Sequence, residues 1–434
     1  MIKTLSDFLL RKEEHLNLVR RELHQIPEPG WCEYQTTAYI YNFMQDFPFD
    51  LFIGVEAVDS DARMGLPSEK ENAHFFKLAE QAGVDPYLLD KTADGHTGLA
   101  AVLRTGRPGP DTVLRFDIDA LPITEAEAEH KPYEEGFVSL HPGTMHACGH
   151  DGHAAIGLFT AAYLAQVKEQ LTGTITILFQ PAEEGSRGAE AMVKKGWLDH
   201  KDYFLSGHIG LHDLATGTIV SGTYQFLATT KINAAFEGIS AHAGVNPSEG
   251  KNALLAAATA AVQLHTIAPG REGMTRLNVG TLHGGEGRNI IPSYASMMIE
   301  TRGETNELNS YMEKEALRIL NASAAMYDVT PVLETAGKGV TAESSTKIGE
   351  ALKQKRGAYV ENVLEPLPLG GSEDAAIMMN RVHEAGGEAA YFIYGTRLPY
   401  GHHHPQFDYD EKVLPAAVEA LCMLLHDYHG EERI

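Results

Sequence analysis

Nine consecutive residues, MHACGHDGH at 145–153, place three histidines, one cysteine and one aspartate among small side chains. Cys148 and His150 lie two apart, so a loop can aim a thiolate and an imidazole at one ion, and both donors suit zinc-like metals. The same pair read as a cysteine nucleophile with its base is weaker. Neighbours two apart on a tight loop share an ion more easily than they align for proton transfer, and no third residue orients the histidine. Taken alone, the stretch is also readable as a polar loop. Its meaning depends on where four other polar clusters fall: RFDID with Asp117 and Asp119, QPAEE with Glu183 and Glu184, YFLSGHI with His208, and GHHHPQF with His402, His403 and His404.

These clusters fall at the ends of predicted strands. TVLRFDID (112–119), TITILFQ (174–180), YFLSGHI (203–209) and AAYFIYG (389–395) are short apolar β-rich runs. HAAIGLFTAAYLAQVKEQ (153–170) has helical spacing, and MHACGHDGH precedes it as a strand-to-helix loop would. Alternation of this kind implies an α/β fold with a mostly parallel sheet covered by helices. In such sheets ligands collect beyond the carboxyl ends of the strands. Convergence of five polar clusters on one predicted edge therefore points to a metal centre. Cys148 and His150 would be joined by Glu184, His208 and one of the three terminal histidines. That many ligands exceeds the need of one tetrahedral ion, so two adjacent ions sharing a water are more economical. Of the two adjacent carboxylates, one would bind metal while its neighbour stays free to take a proton from the shared water.

The middle of the chain has a different rhythm. Strand 229–240, helix 250–267, strands 275–285 and 294–303, helix 307–327 and strand 329–336 follow the ferredoxin-like βαββαβ order,. The expected organisation is one catalytic α/β domain, 1–224 and 337–434, interrupted by a lid domain at 225–336. His242, in AHAGVNPSEGKNA, is either incidental to a helix-capping loop or a hydrogen-bond donor to the oxyanion when the lid closes. Residues 57–95 read as a charged helical insertion to which no chemistry attaches.

Bulk properties exclude whole classes of partner. Among 434 residues, 35 basic and 59 acidic side chains give a net charge of −24, which disfavours nucleic acid and anionic membrane surfaces. Cys32, Cys148 and Cys422 are too few and scattered for a disulfide framework,. The N-terminus lacks the pattern of a signal peptide, and ALLAAATAAVQL (253–264) is too short to span a bilayer,. A cytoplasmic protein acting on a small molecule is expected.

Taken together, RFDIDALP, MHACGHDGH, QPAEEG, GHIG, AHAG, GRNIIP and HHPQF resemble the aminoacylase/carboxypeptidase family of two-metal amidohydrolases, in particular the branch in which a cysteine replaces a carboxylate ligand. The similarity covers nearly the whole chain. It implies Cys148, His150, Glu184, His208 and His403 as ligands of two Mn2+ or Zn2+ ions, His403 because it lies four residues before Phe407. It further implies Glu183 as general base and acid, Asp117 as a carboxylate orienting a ligand, His242 reaching a partner subunit's site from the lid, and Asn289 contacting substrate. Where other branches place a metal-binding histidine, this chain has Arg115. The implied reaction is hydrolysis of an N-acyl or N-aroyl amino acid, p-aminobenzoyl-glutamate above all, by a homodimer joined through the lid or a heteromer with a related B subunit. Two substrate carboxylates would need cationic partners, for which Arg288 and Lys231 are the candidates. A non-catalytic, ligand-binding partner subunit is the competing class, and a spare base at Glu183 argues against it.

Overall fold

The computed structural model describes residues 2–430, with side chains from residue 5. The chain forms two compact units. One comprises the residues up to Tyr224, Ala342–Leu369 and the chain from Asp374 onward; the other comprises Gln225–Thr341 with Gly370–Glu373.

The first unit is built on an eight-stranded sheet. Its strands lie in the order Asp50–Ile53, Leu99–Arg104, Thr174–Gln180, Asp111–Asp117, Tyr203–Asp213, Glu388–Thr396, Thr218–Val220 and Asn362–Leu364. The four central strands from Thr174–Gln180 to Glu388–Thr396 are parallel to one another, whereas both strands before them pair antiparallel. Central strands of this kind are covered on both faces, which is why they read as nearly unbroken apolar runs. Helix His150–Val167 is buried almost all round and packs so tightly that a Cβ on Gly157 would stand 2.7 Å from both Phe116 and Phe179. No helix among the described residues is long and apolar enough to cross a membrane.

One strand departs from expectation. Its run does not stop at 209 but continues to Asp213. Regular pairing with Glu388–Thr396 reaches Ile209↔Tyr394, slips, and resumes at Asp213↔Thr396. The interruption coincides with Gly210 at φ 80° and Leu211 at φ 68°, a local kink of the kind that re-aims side chains beside a site.

The N-terminal helix, Ile2–Gln25, is latched to this unit by buried charge. Arg20 donates to Asp151 Oδ2 (2.8 Å) and Asp408 Oδ1 (2.7 Å), and His24 bridges Asp151 Oδ2 (2.8 Å) and Glu125 Oε1 (2.9 Å). Burial alone would lower His24, but its hydrogen bonds to Asp151 and Glu125 outweigh burial and hold it at about 9 against an ordinary 6.5. A raised value means that the charged form stabilises the fold. On the scale of a pKa difference that contribution is about 3 kcal/mol; it is complete below pH 6.5 and vanishes as the pH rises through 9. Urea midpoints measured from pH 6 to 10 are expected to fall across this window and to flatten in His24→Gln; an equally steep fall in the variant would refute the assignment.

The second unit is an antiparallel four-stranded sheet in the order Thr330–Gly339, Ala228–Glu237, Tyr294–Gly303, Thr275–Gly284, with helices Ala253–Leu264 and Asn306–Met326. Alternation along Tyr294–Gly303 buries Ala295, Met297 and Ile299 with Phe236 and the helical Ala256, Ala260 and Leu320,. Asn252 and Thr305 cap the helices, accepting from Leu255 N (2.9 Å) and Leu308 N (3.2 Å),.

Residues 57–95 contain helices Glu69–Gln81 and Pro86–Thr92, capped by Ser68 and Asp85. Their apolar faces close over Cys32 and Tyr34 through Phe75, Ala79 and Leu89.

Candidate metal centre

Helix His150–Val167 begins inside MHACGHDGH, three residues earlier than the spacing suggests, because Gly149 at φ 93° turns the chain directly into it,. The motif is thus partly loop and partly first helical turn, and its histidines separate by role. His150 Nδ1 donates to Asp119, 3.0 Å from its carbonyl and 3.1 Å from Oδ1, leaving Nε2 buried without a hydrogen-bond partner. His153, one turn on, spends both nitrogens: Nδ1 lies 2.5 Å from Asp117 Oδ1 and Nε2 accepts from Ile209 N at 2.9 Å. His146 is buried with neither nitrogen bonded, and burial pushes it down to about 3. Asp151 serves Arg20 and His24.

Beyond strand Thr174–Gln180 the loop carrying Glu183 and Glu184 is held by three carboxylates. Ala182, at φ 53°, donates its N–H to Glu33 Oε1 (2.8 Å); Glu184 N donates to Asp119 Oδ2 (3.0 Å); Gly188 N and Ala189 N donate to Asp374 Oδ2 (3.2 and 2.9 Å). A Cβ at Gly188 would fall 1.8 Å from Pro181 O, so the return path of the loop admits glycine alone. Asp374 is in turn bonded by Arg115 Nη2 (2.9 Å), whose Nη1 binds Asp117 Oδ2 (2.7 Å). Arg115 is fully buried and anchors both carboxylates.

His208 sits on strand Tyr203–Asp213 opposite Ile393. Its Nδ1 donates to Ile209 O (2.8 Å), so Nε2 turns to Cys148 Sγ at 3.5 Å. Of the three terminal histidines, His403 is the one whose ring nitrogen falls in a donor set, with Nε2 3.4 Å from Glu184 Oε1; the His402 ring lies 5.1 Å from that of His208. Its backbone takes the left-handed φ of 65°, and its N–H is tied to Ala147 O at 2.7 Å, a strained residue held at a site. His402 instead bonds Ile209 O through Nε2 (3.1 Å), and His404 stacks on Tyr400.

Cys148, His150, Glu183, Glu184, His208 and His403 thus come together. Potential donor atoms fall within 4.8 Å of one another in three overlapping sets: Cys148, His150 and His208; Cys148, Glu184 and His403; His150, Glu183 and Glu184. Overlap through Cys148, His150 and Glu184 is what two neighbouring cations need. Electrostatics agree with ligation. Burial drives His208 well below its ordinary value, so its lone pair is available. Burial and Glu184 drive the Cys148 thiol well up, so the thiolate that a ligand or a nucleophile needs would form only with a cation beside it. His150, which burial would lower, is held high by Asp117, a charge that a cation at Nε2 would replace. Buried His150 Nε2 has no hydrogen-bond partner, and buried Glu184 Oε1 meets only His403 Nε2 at 3.4 Å. An orphaned buried nitrogen amid thiol, imidazole and carboxylate fits divalent cations.

Asp117 and Asp119 divide the work. Asp119, at the strand end but given no role by sequence reasoning, orients His150 and fixes Glu184, whereas Asp117 binds His153 and stands 3.7 Å from His150 Nε2. Asp119→Ala is expected to weaken metal affinity about 10–100-fold, as loss of a ligand-orienting partner does; chelator competition measures it, and unchanged affinity would remove Asp119 from the centre. Glu33 and Asp374 were also missed. Asp374 ends the short polar run GSED at 371–374, but Glu33 carries no sequence signal, because the groups it accepts from, Ala182 N and Thr97 Oγ1, lie far along the chain.

In the second unit, residues 241–243 pair with 289–291: Ala243 N donates to Asn289 O (3.0 Å) and Ile291 N to Ala241 O (2.9 Å). His242, Arg288 and Asn289 are thereby gathered, all exposed. Lys231 lies apart from them on the sheet, 3.7 Å from Glu300.

Residues 113–427 match the sequence profile described as Peptidase family M20/M25/M40. The chain is 44% identical to indole-3-acetyl-aspartic acid hydrolase of Enterobacter agglomerans over 423 residues, 96% of this chain and 97% of that protein. It is 42% identical to the A subunit of p-aminobenzoyl-glutamate hydrolase from Escherichia coli K12 over 426 residues, 97% of each. The crystal structure of aminobenzoyl-glutamate utilization protein from Klebsiella pneumoniae superposes with a TM-score of 0.82 at 37% identity, covering 98% of both chains.

Proposed function

This chain belongs to peptidase family M20/M25/M40 and is an amide-bond hydrolase, and on that premise we propose that it cleaves p-aminobenzoyl-glutamate to p-aminobenzoate and glutamate. Two relatives named for amides of acidic amino acids, at 44% and 42% identity over nearly the whole chain, support the substrate class. The observation that carries the chemistry is a carboxylate, Glu183, set 3.9 Å from His150 Nε2 beside a cluster of metal donors.

Cys148, His150, Glu184, His208 and His403 would hold two divalent cations, Mn2+ or Zn2+. When bound, such ions polarise the scissile carbonyl and acidify an attacking water. Glu183 takes the proton of that water and delivers it to the leaving nitrogen. Its backbone carbonyl, accepting from Ser186 N at 2.6 Å, keeps it in place for both transfers. Asp119 holds His150 and Glu184 in register, so the donors need not reorganise as charge develops.

The unit Gln225–Thr341 acts as the lid and dimer-forming domain, from which His242 and Asn289 would meet the reacting groups of a partner copy. Arg288, exposed beside them, is the better candidate for a substrate carboxylate. Lys231 is the poorer one, its charge being already shared with Glu300. Two relatives carry names that make them one subunit of a larger hydrolase, which supports a heteromer with a second, different chain.

The test is a hydrolysis screen of p-aminobenzoyl-glutamate, indole-3-acetyl-aspartate and acetylated or benzoylated neutral amino acids, with added Mn2+ or Zn2+, alone and with a candidate second chain. Faster turnover of the neutral compounds would overturn the substrate assignment. A preference for indole-3-acetyl-aspartate would favour the second reading, which rests on the 44% identity to the hydrolase named for it.

A further inference from the structure

The insertion at 57–95 brings one turn against the catalytic loop. Trp31 Nε1 donates to Met64 O (2.8 Å), and Arg187 Nη1 donates to Gly65 O (2.9 Å). Arg187 follows the two adjacent glutamates, and its Nε donates to Glu184 O at 2.7 Å. Two nitrogens of this guanidinium are therefore fixed on backbone carbonyls. The third, Nη2, makes no hydrogen bond, and no ion pair involves Arg187 among the described residues. Nη2 lies directly over Gly30, where a Cβ would come within 2.3 Å of it.

Gly30, Arg187 and Glu184 line one cavity of about 300 Å³, whose remaining wall is largely Pro29, Pro67, Leu121 and Pro122. A half-buried cation without an ion pair is thus aimed into a largely apolar cavity that opens beside a candidate metal ligand, in a chain of net charge −24. Glu71 on the rim is exposed, so water screens its charge, while Arg187 acts from the half-buried wall.

We propose that this cavity receives the side-chain carboxylate of an acidic amino acid, and that Arg187, positioned by the 57–95 insertion, selects for it. A guanidinium held at two nitrogens has little freedom to lose on binding, and its open Nη2 offers a charge-assisted hydrogen bond that a neutral side chain cannot use. The insertion then has a function: it supplies Gly65 O and Pro67 to build a subsite for acidic substrates. This inference rests on the amide hydrolysis proposed above.

The experiment compares p-aminobenzoyl-glutamate with p-aminobenzoyl-alanine on the metal-loaded full chain, as wild type, Arg187→Gln and Arg187→Lys. Wild type is expected to prefer the glutamate compound in kcat/KM. In R187Q the ratio of the two kcat/KM values should fall about 10–100-fold, mostly through KM for glutamate, and R187K should keep part of the preference. An unchanged ratio in R187Q would overturn the inference: equal losses for both compounds would make Arg187 a residue that only shapes the loop, and no loss for either would leave it without a part in binding. If wild type, alone and with the candidate second chain, cleaves neither compound, the proposed reaction itself falls; if it cleaves both and the ratio ignores Arg187, only the subsite falls.

Discussion

Glu183→Gln is expected to lower kcat by about 10²–10⁴-fold, the range that a general acid and base contributes, while leaving two cations per chain. Both halves follow from the geometry. Gln keeps the size and hydrogen-bonding reach of the side chain but cannot take a proton from water. The adjacent Glu184 and the other donors, Cys148, His150, His208 and His403, are untouched. The backbone would also hold, because Ser186 N binds the main-chain carbonyl of residue 183, and Glu33, Asp119 and Asp374 grip the N–H groups around it. Steady-state kinetics on p-aminobenzoyl-glutamate and elemental analysis of the same preparation decide the matter. Retention of more than a tenth of wild-type kcat would move the proton transfer to another group. Loss of metal together with activity would mean that Glu183 is a ligand rather than a base, an outcome the shared donor set of His150, Glu183 and Glu184 makes worth measuring.

The candidate donors were legible in the sequence because each belongs to a short polar cluster, at an apolar strand or its end or, for Cys148 and His150, at the start of a helix, and strand alternation predicts where those ends meet. Asp117, Glu183, Glu184 and His403 follow that logic directly. His208 follows it only approximately: its strand runs on to Asp213, and the kink at Gly210 and Leu211, invisible to hydropathy, is what ends the regular pairing beside it. Among the three terminal histidines the spacing to Phe407 picks His403, but not the reason the other two stand aside: that lies in ties that form only in the folded chain, His403 N–H to Ala147 O and the His402 ring to Ile209 O. Asp117 and Asp119 illustrate the same limit. Both occupy the strand end, and only their distances to His150 and His153 assign them different partners. Glu33 was beyond reach altogether, since a residue that accepts one N–H from position 182 leaves no pattern near position 33. The insertion at 57–95 was legible as charged helices, but its use depends on Gly65 O meeting Arg187, a contact 122 residues long in sequence.

Cys148→Ala, and chelation of the unmodified chain, are expected to take activity to background by the same route. Cys148 belongs to two of the three donor sets, so its removal opens both cation positions at once. His208 and His403 would each be left with fewer neighbours within reach of an ion. The donor set of one thiol, three imidazoles and one carboxylate favours Zn2+ and, through its nitrogen and oxygen atoms, accepts Mn2+, but it offers too few oxygens for Ca2+ or Mg2+. Adding single cations back to the stripped chain should therefore restore turnover with Zn2+ or Mn2+ and not with the other two. A readout independent of activity accompanies this. A cation that binds only the folded chain adds about 2.7 kcal/mol of stability at a hundredfold excess over its Kd, so chelation should lower the apparent Tm of the wild type and hardly move that of Cys148→Ala. Serine at this position would keep the volume but not the thiolate, and should behave like alanine in metal content. A Cys148→Ala chain that holds two ions and turns over normally would remove the cysteine from the centre. A Cys148→Ala chain that holds two ions yet is inactive would instead revive the nucleophile, against the burial that holds this thiol protonated. The two outcomes separate cleanly, because a ligand is lost with its metal whereas a nucleophile is lost without it.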